Sequence, residues 1–217
     1  MKTYVRVKVW GELACFTRPE CKGERLSYKC MTPSSARGVC DCILWKPEMI
    51  WRIRKIIILN PIKSIALKRN EVKNVVCNAV SWMKDPSKFQ PMECGAGSAN
   101  ATPRQTIALK DVAYIIEAEP EIKVPTVDDT PTKFMAMFDR RVEKGQCFRS
   151  PFFGCREFKA YFGPPTGHET PIPLTEDLGM MLYDVRYGEK EKEAVFFHAQ
   201  LQNGTLDLSS LKIGKVN

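Results

Sequence analysis

Tyr4-Val5-Arg6-Val7-Lys8-Val9-Trp10 alternates without interruption between small aliphatic residues and basic or aromatic ones. Only an extended chain sends successive side chains to opposite faces, so a period of two over this length excludes a helix here. Val5, Val7 and Val9 therefore face a core, and Arg6, Lys8 and Trp10 face outward. The chain opens as a half-buried strand with a basic outer surface.

The segments that follow carry comparable signals. Thr32-Pro33 is an N-cap followed by proline at the first helical position. It predicts a helix from Pro33 to about Trp45, ended by Lys46-Pro47, with Ala36, Val39, Cys40 and Ile43 turned inward. Met49 to Leu59 reads as an Ile-rich strand interleaved with Arg52, Arg54 and Lys55, broken by Asn60-Pro61. Ile62 to Leu67 and Thr106 to Ala118 read as further strands. Pro131 to Lys144 reads as a second helix closed by Gly145, with Phe134, Met137, Phe138 and Val142 near one face. Arg156 to Phe162, Met180 to Arg186 and Ala194 to Leu201 complete the strands, and Gln202-Asn203-Gly204-Thr205 is a hairpin turn. Residues 11–31, with Pro19 and Gly23, read as a polar connection, and 68–103 as an irregular, partly basic insertion. The order is strand, helix, strand, strand, strand, helix, strand. The expected class is α+β: a ferredoxin-like, RRM-like βαββαβ domain over 1–150 with an insertion around 68–103, and a C-terminal β extension over 151–217. That fold serves many functions, so function must come from the side chains.

Several classes are excluded. The longest aliphatic run, Ile56-Ile57-Ile58-Leu59, falls far short of the ~20 apolar residues of a membrane span. The N-terminus enters its strand with no signal-like apolar stretch. A cytoplasmic protein with reduced thiols and no membrane partner is expected. The nine cysteines are an odd number, and their closest pair, Cys40-x-Cys42, lacks zinc-ligand spacing, with His168 and His198 far downstream. No metal and no cofactor is expected, most cysteines read as small buried apolar residues, and the two histidines receive no role. Gly95-Ala96-Gly97 lacks the Lys-Ser/Thr of a phosphate loop.

Charge points to a partner. The net charge is +8, yet the first 78 residues hold sixteen Lys/Arg against six Asp/Glu, so the remainder is slightly acidic. A one-sided basic excess is the footprint of a nucleic acid or another polyanion. Arg37, Lys46, Arg52, Arg54, Lys68 and Arg69 are the candidates for gripping phosphates, with Arg18 and Arg25 behind them. Trp10, Tyr28 and Trp45 are the candidates for stacking on unpaired bases.

A family resemblance sharpens this. It is carried by Val9-Trp10-Gly11-Glu12-Leu13-Ala14-Cys15-Phe16-Thr17-Arg18-Pro19-Glu20, by Glu24-Arg25-Leu26-Ser27-Tyr28, and by Met31-Thr32-Pro33-Ser34-Ser35-Ala36-Arg37-Gly38. Trp45-Lys46-Pro47, Arg69-Asn70-Glu71-Val72, Leu109-Lys110-Asp111-Val112-Ala113-Tyr114 and Gly154-Cys155-Arg156-Glu157-Phe158 continue it in order. The chain resembles the Cas-five subunit of type I-C CRISPR systems, the d or Dvulg subtype, within the RAMP group of RNA-binding proteins. The resemblance implies a metal-independent endoribonuclease that cuts CRISPR precursor RNA beside the repeat hairpin by 2′-OH attack. It also implies that the protein then holds the 5′ handle of the mature crRNA in Cascade. Its partners there would be the backbone and large subunits, and target DNA indirectly. The family pattern places a Tyr before Trp-Lys-Pro and a Lys-His pair at the start of the second helix. Here those positions are Leu44 and Lys133-Phe134, so Lys133 alone remains as the catalytic candidate, with Tyr28 and Arg37 as possible neighbours. Leu and Phe cannot transfer protons. The residues therefore leave open a second outcome, a catalytically silent scaffold that only binds the handle. Phe134 itself reads as core.

Overall fold

A computed structural model describes residues 3–21, 23–73, 79–89, 95, 97–123, 129–187 and 192–211. In chain order the elements are β1 (Val5–Ala14), β2 (Arg25–Leu26), α1 (Pro33–Ile43), β3 (Met49–Ile58), β4 (Lys63–Val72), α2 (Ala79–Lys84), β5 (Ala101–Ile122), α3 (Pro131–Glu143), β6 (Tyr161–Gly163), β7 (Glu176–Tyr187), β8 (Lys192–Gln202) and β9 (Thr205–Asp207). The architecture mixes helix and strand and is dominated by one curled sheet. Its strand order is β6-β1-β5-β3-β9-β8-β7, and β5 also pairs with β2 and β4. All of these pairs are antiparallel except that of β2.

The two long helices form where local chemistry asked for them. Thr32 caps α1, its hydroxyl accepting from the Ser35 amide at 3.3 Å, and Thr130 caps α3 by accepting from the Lys133 amide at 3.2 Å. Each cap satisfies one amide that the first turn leaves without a partner, and proline follows where no amide is needed. Both helices lie on one face of the sheet. Ala36, Val39, Cys40 and Ile43 of α1 and Phe134, Met135, Phe138 and Val142 of α3 are buried there with Val5, Val7, Val9, Ile53, Ile56, Tyr114 and Ile116. Trp51 locks the layer. Its ring meets Phe138 edge-on at 4.8 Å, and its indole N–H donates to the Leu44 carbonyl at 2.9 Å. Burying each large apolar side chain here contributes about 1.5–3 kcal/mol.

Three sequence expectations change. Residues 11–31 are not simply a polar connection: β1 runs on to Ala14, and Cys15, Phe16, Tyr28, Cys30 and Met31 are core. The insertion at 68–103 is largely ordered. Its ends belong to a long β4–β5 ribbon pairing Lys63 with Lys110 and Val72 with Ala101, and it carries α2 and a 3-10 turn over Pro86–Lys88. Residues 74–78, 90–94 and 96 of that expectation lie outside the described residues. Arg156 to Phe162 is not a strand. The chain turns at Gly154, and only Tyr161–Gly163 joins the sheet, at its β1 edge. The hairpin at 202–205 forms as read, with Asn203 and Gly204 both at positive φ (46° and 71°), the backbone of a type I′ turn. The segment after residue 150 thus supplies one edge strand, β6, and the opposite end of the sheet, β9-β8-β7. No helix among the described residues is long and apolar enough to cross a membrane.

Candidate nucleic-acid interface

The face of the sheet away from α1 and α3 gathers several of the expected residues. Alternation places Arg6, Lys8 and Trp10 of β1 there, and the register sets β3 against the same rows of β5. Arg6 pairs with Glu117 at 3.2 Å. Arg52 and Arg54 both reach Glu119, at 3.7 and 2.8 Å, and Arg54 also lies 5.6 Å over the Tyr4 ring. Lys8 pairs with Glu169 at 3.4 Å. Trp10 is exposed and stacks on Tyr161 of β6 with centroids 6.2 Å apart, and the Lys159 ammonium sits 4.8 Å over Tyr161. A row of cations with an aromatic pair at its edge can hold a phosphate chain and one or two bases. Phosphates must there compete with Glu117 and Glu119; the Arg52 and Arg54 pairs with Glu119 keep both partners partly in water and give little away when exchanged, whereas Glu117 is buried.

The outer half of the β4–β5 ribbon carries a second basic cluster. Arg25, Arg69 and Arg104 surround Glu71 at 3.0, 3.9 and 3.5 Å. Arg69 also pairs with Glu157 and lies 5.5 Å over the Phe158 ring, and Arg25 donates to the Cys155 sulfur at 3.2 Å. Arg18 lies 4.8 Å over the Tyr28 ring and 3.6 Å from Glu20. Lys68 points to the solvent side of the ribbon and is exposed.

Arg37 and Tyr28 sit elsewhere and work differently. Tyr28 is 1% exposed, and its hydroxyl accepts from the Leu182 amide at 3.2 Å. A ring buried this far offers no face to a base, which corrects the expectation for it. Arg37 makes a two-pronged pair with Asp184 of β7, Nη2 to Oδ1 at 2.8 Å and Nη1 to Oδ2, and so clamps α1 to β7. Neither contact runs to Lys133.

The clamp surrounds Asp41. Burial pushes its carboxyl up from an ordinary 3.8 to about 6, aided by Asp184 and opposed by Arg37, Lys123 and Arg149. The folded protein thus favours protonated Asp41. The stability this group lends is complete below about pH 4 and is lost as pH rises through 6. Asp41→Asn is therefore expected to melt above wild type at pH 8, by an amount worth up to about 3 kcal/mol. That advantage should vanish by pH 4. Thermal melts of both proteins from pH 4 to 8 test this, and a pH-independent difference would refute it.

Lys133 stands at the first turn of α3. Its side chain is 46% exposed, and its ammonium lies 3.0 Å from Asp129 Oδ1 and 5.9 Å from the Phe134 ring. Leu44 is 0% exposed and Phe134 1%, both inside the helix–sheet core. Asp129 escaped sequence reasoning, although its i, i+4 spacing to Lys133 was readable.

Trp45 and Lys46 follow α1. Trp45 is 50% exposed and stacks on Phe148, itself 55% exposed, with centroids 6.0 Å apart and planes at 27°. The Arg149 guanidinium lies 5.5 Å over Phe148. Phe148, Arg149, Tyr161 and Lys159 were not legible as site residues, because only the fold brings them to their partners.

The sequence model of the CRISPR-associated protein family Cas_Cas5d (Cas_Cas5) matches residues 4–208. The chain belongs to the Cas5d family. It is 39% identical over 222 residues to a protein of Mannheimia succiniciproducens named CRISPR pre-crRNA endoribonuclease Cas5d, with 96% of each chain covered. It is 38% identical to a Thermus thermophilus protein of the same name, covering 96% of this chain and 92% of that one. Among solved structures, a crystal structure of a CRISPR-associated protein aligns with a TM-score of 0.67 at 22% identity over 97% of this chain and 95% of the other. A functionally uncharacterized Streptococcus mutans protein aligns at 0.65 and 20% identity, over 97% and 95%. A chain of a CRISPR RNA-guided surveillance complex aligns at 0.50 and 10% identity, over 89% and 86%. At these identities the structural likenesses concern the fold alone.

Proposed function

We propose that this chain cuts CRISPR precursor RNA beside the repeat hairpin without a metal ion, and then holds the 5′ handle of the mature crRNA as a subunit of Cascade. The observation that carries this is its near full-length identity, at 39% and 38%, to two pre-crRNA endoribonucleases of its own family. The basic, aromatic-edged sheet face gives such an RNA a place to lie, with Arg52, Arg54 and Trp10 on it and Lys68 and Arg69 on the ribbon. Lys46 and Trp45 extend the basic surface beyond α1, while Arg37 contributes through its clamp. The partners on this reading are the backbone and large subunits of the complex, with target DNA met indirectly.

We also read β1, β3 and β5 with α1 and α3 as a ferredoxin-like core within residues 1–150, to which β6 of the following segment adds an edge strand. What supports it is the strand order, in which β5 lies antiparallel between β1 and β3 and β6 flanks β1. The 151–217 segment extends that core.

The chemistry needs a proton acceptor, a cation and a proton donor around one phosphate. The Asp129–Lys133 pair supplies all three at the N-terminal end of a helix, where anions are favoured. The ribose 2′-oxygen attacks the adjacent phosphorus as its proton passes to the Asp129 carboxylate. The Lys133 ammonium offsets charge on the phosphorane and gives a proton to the departing 5′-oxygen. A 2′,3′-cyclic phosphate and a 5′-hydroxyl result. Asp129 then returns its proton to Lys133 across their 3.0 Å contact, which restores both groups.

A second reading, a silent handle-binding subunit, is favoured by the burial of Leu44 and Phe134 where the family pattern has Tyr and His. One assay separates the two. Purified protein is mixed in EDTA with its own repeat RNA bearing a ribose or a 2′-deoxyribose at the hairpin base. Cutting of the ribose substrate alone, with a cyclic phosphate on the product, is the expected result. Tight binding with neither substrate cut selects the silent subunit.

A further inference from the structure

We propose that Trp45, Phe148 and Arg149 form a landing platform for one unpaired nucleobase of the RNA, with Phe148 and Arg149 as its principal residues. The proposal rests on the RNA-binding reading above and gives that reading a specific base-binding site.

Two large rings that stack on each other and leave about half of each surface in water are unusual in a protein with a large core available. They are not there through looseness. The last turn of α1 leaves carbonyls without helical partners, and these carbonyls hold the platform. The amides of Phe148 and Arg149 both donate to the Cys42 carbonyl, at 2.8 and 3.1 Å, and the Arg141 guanidinium donates to the Ile43 carbonyl at 2.6 Å. Trp45 leaves the helix two residues after Ile43 and stacks on Phe148. The stack is therefore preorganised, and a base that lands on it orders little that was not already ordered.

Charge selects the partner. Residues 140–149 hold Arg140, Arg141, Lys144 and Arg149 against Glu143 alone, and Lys46 adjoins Trp45. Arg149 lies over the Phe148 ring rather than away from it. An apolar protein surface covering these rings would have to desolvate that guanidinium. A nucleotide meets both halves of the platform, its base lying on a ring and its phosphate beside the guanidinium. Stacking of this kind is tolerant of sequence, whereas position along the RNA is fixed by where the rings stand.

The test titrates labelled repeat RNA with the full chain at several salt concentrations. It includes a series of RNAs in which each single-stranded nucleotide in turn is abasic. Phe148→Ala is expected to weaken binding about 5- to 150-fold, the span of one base–aromatic stack, and Phe148→Tyr to restore it. The slope of log affinity against log salt should be unchanged in Phe148→Ala, since no phosphate contact is lost. In Arg149→Ala it should fall by about 0.7. One abasic position should weaken wild type as the mutation does, and cause no further loss in Phe148→Ala. The proposal is overturned if Phe148→Ala binds every RNA like wild type, or if its loss is the same at all abasic positions. It is also overturned if RNA affinity is intact while association with the other Cascade subunits is lost, which would make the platform a protein contact. Failure of the RNA-binding reading shows separately, in a wild-type protein that does not prefer its repeat to unrelated RNA.

Discussion

Lys133→Ala is expected to slow cleavage of repeat RNA by about 10²–10⁴-fold, the range attached to one positioned acid–base group, while RNA affinity falls by less than tenfold. The two numbers differ because on the proposed reading Lys133 is one of many cations available to the RNA, but among the described residues it is the only lysine paired across 3.0 Å with a carboxylate at the start of α3. Lys133→Arg keeps the positive charge but not the ability to give up a proton, so it should recover part of the rate and no more. Asp129→Asn keeps an oxygen for the ammonium and removes the proton acceptor, and it should fall close to Lys133→Ala. The proposed mechanism makes the two groups act as a unit, so the double variant should be scarcely slower than either single one. Single-turnover cleavage under saturating protein measures all four. Lys133→Ala cutting at the wild-type rate would place the chemistry elsewhere. Its partly exposed side chain makes folding loss a poor explanation of any defect, and a melting curve checks that.

The parts of the fold that were readable are those whose causes are local. Thr32-Pro33 announced the first helix because capping is settled within four residues, and the apolar face with its closing Gly145 announced the second. Val5, Val7 and Val9 announced β1 because one of its faces is wholly buried. The ribbon was unreadable for the opposite reason. Over Lys68-Arg69-Asn70-Glu71 both faces meet solvent or charge, so backbone pairing to Gln105, Arg104, Pro103 and Thr102 holds it and no hydrophobic alternation marks it. Phe16 and Met31 were lost in a polar-looking stretch because what buries them arrives from distant parts of the chain.

The candidate site divides in the same way. Trp10, Arg52 and Arg54 could be placed on one face because strand parity says so. Arg37 and Tyr28 could not, since what decides their roles is Asp184, 147 residues away, and Leu182, 154 away. An arginine beside a glycine on a helix reads as a phosphate ligand until its carboxylate partner is seen. Phe148 sits in a stretch with no periodicity at all, and the carbonyl of Cys42 and the ring of Trp45, both at the far end of α1, give it a place.

The last expected result sets two identical substitutions against each other. Gly154→Ala should destabilise the protein by at least about 3 kcal/mol, and Gly38→Ala should stabilise it by about 0.5–1 kcal/mol. Gly154 has φ +78°, where a side chain is strained, and a β-carbon there would stand 1.9 Å from the Cys15 carbonyl oxygen and 2.7 Å from its carbon. Those are backbone atoms, and the neighbouring Cys15 amide is bonded to the Phe153 carbonyl at 3.1 Å, so the contact cannot yield without parting the two chains. Parting them withdraws Phe153 from Phe16 and Tyr114, whose rings it meets at 6.1 Å each, and pulls on Glu157, the partner of Arg69. Gly38 is an exposed helix position with nothing within 4 Å of a β-carbon, so alanine there only removes freedom from the unfolded chain. At about 2–4 °C per kcal/mol for a chain of this size, the melting temperatures should separate by more than about 7 °C, with wild type between them. If Gly154→Ala melts with wild type, the loop at 152–158 is free to move away from β1, and Arg69 cannot owe its position to Glu157. If it melts low, the turn at Gly154 is locked against β1, and with it the Glu157 carboxylate that pairs with Arg69.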